Sequence, residues 1–296
     1  MTGSRAGAPK SPESAPHKAE ISLSEATVVI KPHDGNLRKG LAELVRYRAV
    51  FLNLMRREWQ RQFVELQLGW LWVFARPLLM VAIFVMLKRG ANASIYLHVP
   101  YPLFLYIGLI VWFVWVEAVS SVATSGRLNS ALMSKVYFPR LYSPLSQAAS
   151  SGIRLVIGLA PVVALLAYFG LAPGWQIVLL PVLMVQVVLL AFAVGVIFGI
   201  LSIDNNDWNN ARSLVLYIGL FVSPIAYPPD MIPEGFRALH MINPMVGIVE
   251  GFRSALMGGY AFPSMAWLVS LAGTVLLAVL AVTLFNRTEA RMLDAL

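Results

Sequence analysis

Residues 176–202 read QIVLLPVLMVQVVLLAFAVGVIFGILS. None of these 27 residues carries a charge. An α-helix rises about 1.5 Å per residue, so roughly 20 apolar residues cross the ~30 Å hydrocarbon core of a bilayer. The stretch is therefore predicted to be a transmembrane helix, and the chain to be an integral membrane protein.

Further apolar stretches with few charges lie on both sides of it. Hydrophobic residues make up 58% of the 296 positions and charged residues 13%, whereas a soluble domain carries roughly 25% charge. The predicted fold class is an all-α membrane protein with six transmembrane helices, which form one domain over residues 70–286. The other five predicted spans are 70–88, 102–122, 148–170, 211–227 and 265–285.

The segment between the fifth and sixth spans, residues 228–264, differs from the rest. It contains Pro233, Pro244 and Pro263 and short apolar runs such as residues 245–249. These runs are too short to cross a bilayer but suit half-helices. A re-entrant hairpin is predicted there.

The residues outside the spans divide into two tails and one helix. Residues 1–36 lack apolar periodicity and are predicted to be a disordered cytoplasmic tail, and residues 287–296 a cytoplasmic C-terminal tail. Residues 37–69 are predicted to form an amphipathic helix. Packing against its own bundle is nearly as plausible for this helix, but its place before a span favours the membrane interface. Its apolar positions are Leu41, Leu44, Val45, Leu52, Met55, Trp59, Phe63 and Leu66, largely opposite Arg46, Arg56, Arg57 and Arg61.

Lysine and arginine predict the orientation. If both termini share one side, that side holds 18 of these residues, and the other side holds four, namely Lys88, Arg89, Arg237 and Arg253. Both termini are therefore predicted to be cytoplasmic. The chain has a net charge of +8, and most of the excess positive charge lies beside apolar segments. This placement indicates that the charge meets anionic membrane headgroups rather than nucleic acid.

Catalytic motifs are scarce. The chain has no cysteine, and residues 35–40 have the glycine spacing of a P-loop but are followed by Leu41 where the phosphate-binding lysine is required. Asp204 and Asp207, three residues apart, suggest a rival function as a prenyl- or glycosyl-transferase that uses Mg²⁺. No second acidic motif accompanies them, so the polar run around them is better explained as a cap between the fourth and fifth spans.

A few residues within the spans are informative. Glu117 is predicted to face the bundle interior or a polar path, because a charge in hydrocarbon costs at least ~2.5 kcal/mol; Arg76 either does the same or reaches the headgroups. Gly195 and Gly199 form a small-xxx-small pattern for close helix packing. Aromatic residues of the second span form either a headgroup belt or a stacking path for sugar rings. These aromatic residues are Tyr101, Phe104, Trp112, Phe113 and Trp115.

Several segments together resemble the ABC-2 family of polysaccharide export permeases. They begin with residues 54–59 (LMRREW), 68–72 (LGWLW) and 76–79 (RPLL), and continue with 101–108 (YPLFLYIG) and 135–140 (KVYFPR). Residues 223–228 (SPIAYP), 242–244 (INP) and 251–253 (GFR) complete the series. One departure is Asn206-Asp207, where the family often has an Arg-Asp pair.

The resemblance implies a transporter subunit of a bacterial inner membrane and not an enzyme. ATP and Mg²⁺ would bind to a separate cytoplasmic ATPase, and two copies of this ATPase would dock on a dimer of this chain. They would dock through a coupling helix formed by Lys135, Val136, Tyr137, Phe138, Pro139 and Arg140. The substrate would be a polyprenyl-diphosphate-linked polysaccharide, such as O-antigen or cell-wall galactan. Its diphosphate would meet Arg56, Arg57, Arg61 and Arg76, since guanidinium groups pair bidentately with phosphate. A permease for a drug or small lipid is the third alternative.

Overall fold

The computed structural model of the chain describes residues 48–61, 69–90, 99–128 and 140–294. Every regular element within these ranges is a helix, which confirms the all-α prediction for this part of the chain. Short 3₁₀ turns lie at Trp175–Leu179 and Pro229–Met231. The α-helices are α1 (Arg48–Trp59), α2 (Gly69–Gly90), α3 (Tyr101–Leu128), α4 (Tyr142–Gly158), α5 (Ala160–Phe169), α6 (Leu180–Asp204), α7 (Asp207–Val222), α8 (Glu234–Ile242), α9 (Pro244–Leu256) and α10 (Ser264–Asp294).

Five helical segments among the described residues are long and apolar enough to cross a membrane. They are Leu71–Lys88, Tyr101–Gly126, Tyr142–Phe169, Trp175–Ile203 and Ser264–Thr288. They confirm five of the six predicted spans. The segment in α3 is the most enclosed of the five, and α3 packs chiefly against α4 and α6, so it forms the centre of the bundle.

The remaining predicted span, 211–227, differs from its prediction. Helix α7 has 16 residues, which corresponds to about 24 Å, shorter than the ~30 Å hydrocarbon core. It ends at Val222 because Pro224 disfavours a helical conformation at the residue before it, and Ser223 is extended, with φ −87° and ψ 150°. The predicted continuation to residue 227 is therefore wrong.

The third span begins six residues earlier than predicted, at Tyr142, despite its serine-rich start. The Ser143 hydroxyl donates to the Ser125 carbonyl of α3 at 3.1 Å, and the Ser150 hydroxyl donates to the Ser146 carbonyl at 2.8 Å. Such bonds satisfy the hydroxyl groups within the helical bundle. The boundary between α4 and α5 lies next to Pro161, which has no N–H to continue the hydrogen bonding of the helix.

Helices α3 and α6 approach each other at Gly195, as the small-residue pattern predicts. A Cβ atom on Gly195 would lie 2.6 Å from Cβ of Val122 and 2.9 Å from the carbonyl oxygen of Val119. At Gly199 the added atom would lie 3.1 Å from the Ala123 carbonyl oxygen. Only a residue without a side chain fits the closer of these two positions.

We expect Gly195→Ala to destabilise the protein by about 1–3 kcal/mol, because overpacking forces the two helices apart. Gly126→Ala is the matched control: no atom lies within 4 Å of its added Cβ. The control should be neutral or slightly stabilising, since alanine favours a helix by about 1 kcal/mol over glycine. Thermal unfolding of the purified variants in detergent measures both effects. Equal midpoints of thermal unfolding for the two variants would contradict the close packing of α3 on α6.

The segment after α7 contains the two short helices α8 and α9. Asn243 caps α9: its side-chain oxygen accepts from the Met245 N–H at 3.0 Å, and its amide donates to the Ser223 hydroxyl at 2.9 Å. All residues from Met245 to Leu256 are buried. A Cβ on Gly247 would collide with the Ala266 carbonyl oxygen, so α9 packs tightly on α10.

Candidate functional site

Arg253 of α9 is the most completely buried charged residue described, with 0% of its side chain exposed. Its Nη1 donates to the Glu250 carboxylate at 2.5 Å and to the Pro224 carbonyl oxygen at 2.6 Å. Its Nη2 donates to the Ile225 carbonyl at 2.8 Å, and its Nε to the Phe104 carbonyl at 3.2 Å. This guanidinium therefore joins α9 to α3 and to the irregular segment after α7.

The surroundings of Arg253 are built to hold it. Its Cζ lies 3.3 Å from the centre of the Phe104 ring, and the Tyr260 hydroxyl donates to the second Glu250 oxygen at 2.6 Å. A Cβ on Gly108 would lie only 2.8 Å from Nη2 of Arg253. Position 108 therefore has to be a glycine for the guanidinium to fit.

No sequence pattern described above predicts this cluster. The count of lysines and arginines places Arg253 on the outer side, whereas its side chain is buried. The signal was present in the sequence: Glu250 precedes Arg253 by three residues within an otherwise apolar run, a spacing that places both on one helix face.

Two titratable groups beside the cluster have shifted pKa values. Burial raises the pKa of the Tyr260 hydroxyl, and the negative charge of Glu250 raises it further, so Tyr260 remains a donor. Burial lowers the pKa of His240 in α8, although the charge of Glu250 and a hydrogen bond to the backbone of Val222 oppose the shift. The imidazole is therefore neutral at neutral pH.

Helix α1 packs against α4, which is the alternative to the predicted interface position for this part of the helix. The Phe51 and Tyr142 rings are 6.0 Å apart. Glu58 is buried, and its carboxylate accepts from Gln147 Nε2 at 2.7 Å and from Arg61 Nη2 at 2.8 Å. A polar contact thus fixes this helix on the bundle.

Helix α1 contacts the bundle through residues outside its predicted apolar set. Leu52 is exposed, whereas Leu54 and Glu58 are the buried residues of α1. Hydrophobic periodicity could not find Glu58, because the residue that satisfies its carboxylate, Gln147, lies 89 positions further along the chain.

The four arginines predicted to meet a diphosphate have different surroundings. Arg56 and Arg57 are exposed at the end of α1, and the partly exposed Arg61 pairs with Glu58. Arg76 is exposed on α2. The structure thus brings three of the four together on neighbouring turns, and the chain that leads to Arg76, residues 62–68, lies outside the described residues.

Glu117 and Arg154 form an ion pair between α3 and α4. Arg154 Nη1 lies 2.7 Å from the Glu117 carboxylate; the arginine side chain is 3% exposed and the glutamate side chain 54% exposed. Glu117, the charged residue predicted within the second span, is therefore paired with Arg154 and lies at the edge of the bundle.

Asp204 and Asp207 lie in different helices, in agreement with the expectation that the polar run separates the fourth and fifth spans. Asp204 ends α6, Asn205 is extended, and Asp207 begins α7. The Asn205 side-chain oxygen accepts from the Asp207 N–H at 2.8 Å, so the polar run caps the start of α7. Within the described residues no group of three His, Asp or Glu side chains is placed to hold a metal ion.

The predicted aromatic residues of the second span lie mostly in the core of the bundle. Tyr101, Phe104, Trp112 and Trp115 are buried, and only Phe113 is partly exposed. The Trp112 and Trp115 rings are 5.0 Å apart. Their main role in this structure is packing.

The predicted coupling segment can be placed only at its end. Lys135, Val136, Tyr137, Phe138 and Pro139 lie outside the described residues. Arg140 is partly exposed and lies two residues before α4, the helix on which α1 packs.

The long apolar helices define a helical, multi-pass membrane protein. Residues 49–257 match the model of the ABC-2 type transporter family, and the chain therefore belongs to that family. The predicted resemblance is confirmed. Its members are membrane subunits of transporters rather than enzymes, and they generally pair with a cytoplasmic ATPase that handles ATP.

Curated relatives match most of the chain. An O-antigen export system permease protein RfbA of Klebsiella pneumoniae is 27% identical over 237 residues, which cover 77% of this chain and 88% of the relative. A protein of the same name from Myxococcus xanthus is 27% identical over 233 residues, with 78% and 88% covered. A polysialic acid transport protein KpsM of Escherichia coli is 24% identical over 259 residues, with 85% and 96% covered.

Proposed function

We propose that the chain is the membrane subunit of an exporter that moves a polyprenyl-diphosphate-linked polysaccharide outward, driven by ATP hydrolysed on a separate subunit. The observation that supports this most is the family match over residues 49–257 together with relatives named for O-antigen export and polysialic acid transport. O-antigen-like glycans and cell-wall galactan are the substrates we favour.

The proposed topology has six spans in a bacterial plasma membrane, with α7 and the irregular residues that follow it as the fifth. Residues 70–286 form the transmembrane domain, and the tails 1–36 and 287–296 are both cytoplasmic. Helices α8 and α9 form the re-entrant hairpin. This orientation is supported by the excess of lysine and arginine on the side of the termini.

The diphosphate of the lipid carrier is proposed to meet the helix of residues 37–69 at the cytoplasmic leaflet. Arg56 and Arg57 are exposed there, and Glu58 orients Arg61 beside them. The exposed Leu52 gives the same helix an apolar contact with the membrane interface. Arg76 on α2 is the fourth arginine proposed to contact the diphosphate. Among the aromatic residues predicted to line a glycan path, Phe113 is the one whose side chain is partly exposed.

The proposed partners are a second copy of this chain and two ATPase subunits. Residues 135–140 dock each ATPase, with Tyr137 and Phe138 as apolar anchors and Lys135 and Arg140 as the charges that orient the contact. Since Arg140 lies two residues before α4 and α1 packs on α4, movement of this segment reaches the helix that carries the proposed diphosphate site.

A depletion experiment tests the proposed function against a transferase that uses Asp204 and Asp207. Cells depleted of the chain should accumulate full-length lipid-linked polysaccharide on the cytoplasmic leaflet, and the variant Asp204→Asn/Asp207→Asn should restore export to within about twofold of wild type, because polar caps contribute only ~1 kcal/mol. Sugar analysis of the accumulated lipid is the measurement. A shortened glycan, or loss of its synthesis in the double variant, would show an enzyme instead.

A further inference from the structure

The buried carboxylate of Glu58 is shared between two donors at the end of α1. Its Oε2 atom accepts from Nε2 of Gln147 in α4 at 2.7 Å, and its Oε1 atom accepts from Nη2 of Arg61 at 2.8 Å. The side chain of Glu58 is 7% exposed, whereas that of Arg61 is 41% exposed. The carboxylate therefore links the bundle on one side to a cation that reaches the surface on the other.

The contact between α1 and α4 has one apolar point and one polar point. The rings of Phe51 and Tyr142 meet at the start of α4, and Glu58 meets Gln147 in the second turn of that helix. Apolar contacts are non-directional and allow rings to slide, whereas a hydrogen bond fixes both distance and direction. The hydrogen bond from Gln147 is therefore the contact that makes the Glu58 carboxylate follow α4.

A carboxylate and a diphosphate compete for the same kind of cation. The planar guanidinium group of arginine pairs with the oxygens of either one. While Arg61 pairs with Glu58, part of its charge is already neutralised, and the negative charge of Glu58 repels an incoming diphosphate as well. The position of this one carboxylate therefore controls how strongly Arg61 binds such a ligand.

We propose that Glu58 is a built-in competitor for Arg61 and that α4, through Gln147, moves it towards or away from this arginine. The inference rests on the proposed function and adds how the diphosphate is released from its site. Movement that the ATPase imposes on residues 135–140 reaches α4, which begins two residues after Arg140. When the carboxylate takes Arg61 back, the lipid carrier loses that contact. Glu58 and Gln147 are positioning residues, since both are buried and act through Arg61.

Glu58→Gln tests the competition, because the amide keeps the length of the side chain and a hydrogen-bonding oxygen but carries no charge. The full chain is assembled with the ATPase subunit in proteoliposomes. Binding and export of the radiolabelled polyprenyl-diphosphate-linked polysaccharide fraction, taken from cells that make this chain, are then measured. Without nucleotide, the half-saturating concentration should fall about fivefold, since a hydrogen bond between charged groups is equivalent to roughly a factor of ten and Arg61 is partly exposed. Export should slow by about the same factor, because affinity differences lie mostly in the dissociation rate.

Gln147→Met tests the link to α4. In the wild type, a non-hydrolysable ATP analogue should raise the half-saturating concentration of the fraction about fivefold or more, by returning the carboxylate to Arg61. In Gln147→Met this nucleotide effect should shrink to less than about twofold, because the carboxylate no longer follows α4. A contact that only stabilised the fold would change the thermal unfolding midpoint, measured in parallel, and leave the nucleotide effect in place.

Two matched controls accompany these variants. Glu234→Gln removes the carboxylate of another pair that is three residues apart, the exposed pair with Arg237. Ser150→Ala removes a buried hydroxyl whose hydrogen bond to the Ser146 carbonyl stays within α4. Both controls should bind the fraction within about twofold of wild type, because an exposed pair contributes little and the serine bond does not reach α1.

Weaker or unchanged binding by Glu58→Gln would overturn the inference, since the carboxylate would then only fix α1. Wild-type binding that ignores the nucleotide, or a nucleotide effect of wild-type size in Gln147→Met, would equally overturn it. If a single variant does not assemble with the ATPase, Glu58→Met/Gln147→Met replaces both groups by apolar side chains and has to show the tighter binding. If the wild type binds and exports the fraction while these results fail, only this inference is wrong; if the wild type does neither, the proposed function fails with it.

Discussion

Arg253→Met is expected to destabilise the protein by about 3–5 kcal/mol, the usual cost of removing one partner from a buried ion pair. The substitution leaves the Glu250 carboxylate buried without its counter-charge. It also leaves the Pro224, Ile225 and Phe104 carbonyl oxygens without their donor. Thermal unfolding in detergent and the yield of folded protein measure the effect.

The matched control is Arg237→Met in the neighbouring helix α8. Arg237 is about half exposed and lies 3.6 Å from an almost fully exposed Glu234. Pairs of this kind contribute about 0–1 kcal/mol, so the control should unfold close to wild type. Similar unfolding of the two variants would refute the role of Arg253 as the group that fastens α9 to α3.

The triple variant Arg56→Gln/Arg57→Gln/Arg61→Gln is expected to lower export at least about a hundredfold. Hydrogen bonds to charged groups contribute roughly 1.5–3 kcal/mol each, and 1.4 kcal/mol is a factor of ten. Export of lipid-linked polysaccharide from vesicles is the measurement, and co-purification of the ATPase subunit shows that assembly is intact.

Two controls separate charge on this helix from charge in general. Arg237→Gln/Arg287→Gln removes two exposed arginines elsewhere and should leave export within about twofold, as expected for surface charges. Arg56→Gln/Arg57→Gln leaves the contact between Arg61 and Glu58 in place, so its effect is independent of how α1 docks. If the triple variant exported as much as wild type, these arginines would serve only to anchor the helix to the membrane.

Hydropathy predicted the part of the fold that depends on composition. Residues 176–202 and 265–285 carry no charge, and helices span both. The prediction failed where local backbone chemistry overrides composition: Pro224 ends α7 at Val222, and serine hydroxyls bonded to backbone carbonyls allow α4 to begin at Tyr142.

The polar contacts were harder to predict, because they join residues distant in sequence. Glu58 meets Gln147, and Arg253 meets the carbonyl group of Phe104, 149 positions away. A single sequence gives no sign of such pairs. Glu250 and Arg253 are the exception, since their spacing on one helix could have been recognised.

The proposed function requires this chain to couple a separate ATPase to a lipid-linked glycan. The measurement is ATP hydrolysis in proteoliposomes that contain this chain, the ATPase subunit, or both, with and without the polyprenyl-diphosphate-linked polysaccharide fraction. We predict hydrolysis that rises with the fraction only when both proteins are present and is lost in Phe138→Asp, which places a charge in the proposed coupling contact. Modification of the lipid-linked sugar by this chain alone, dependent on Mg²⁺, would contradict the account.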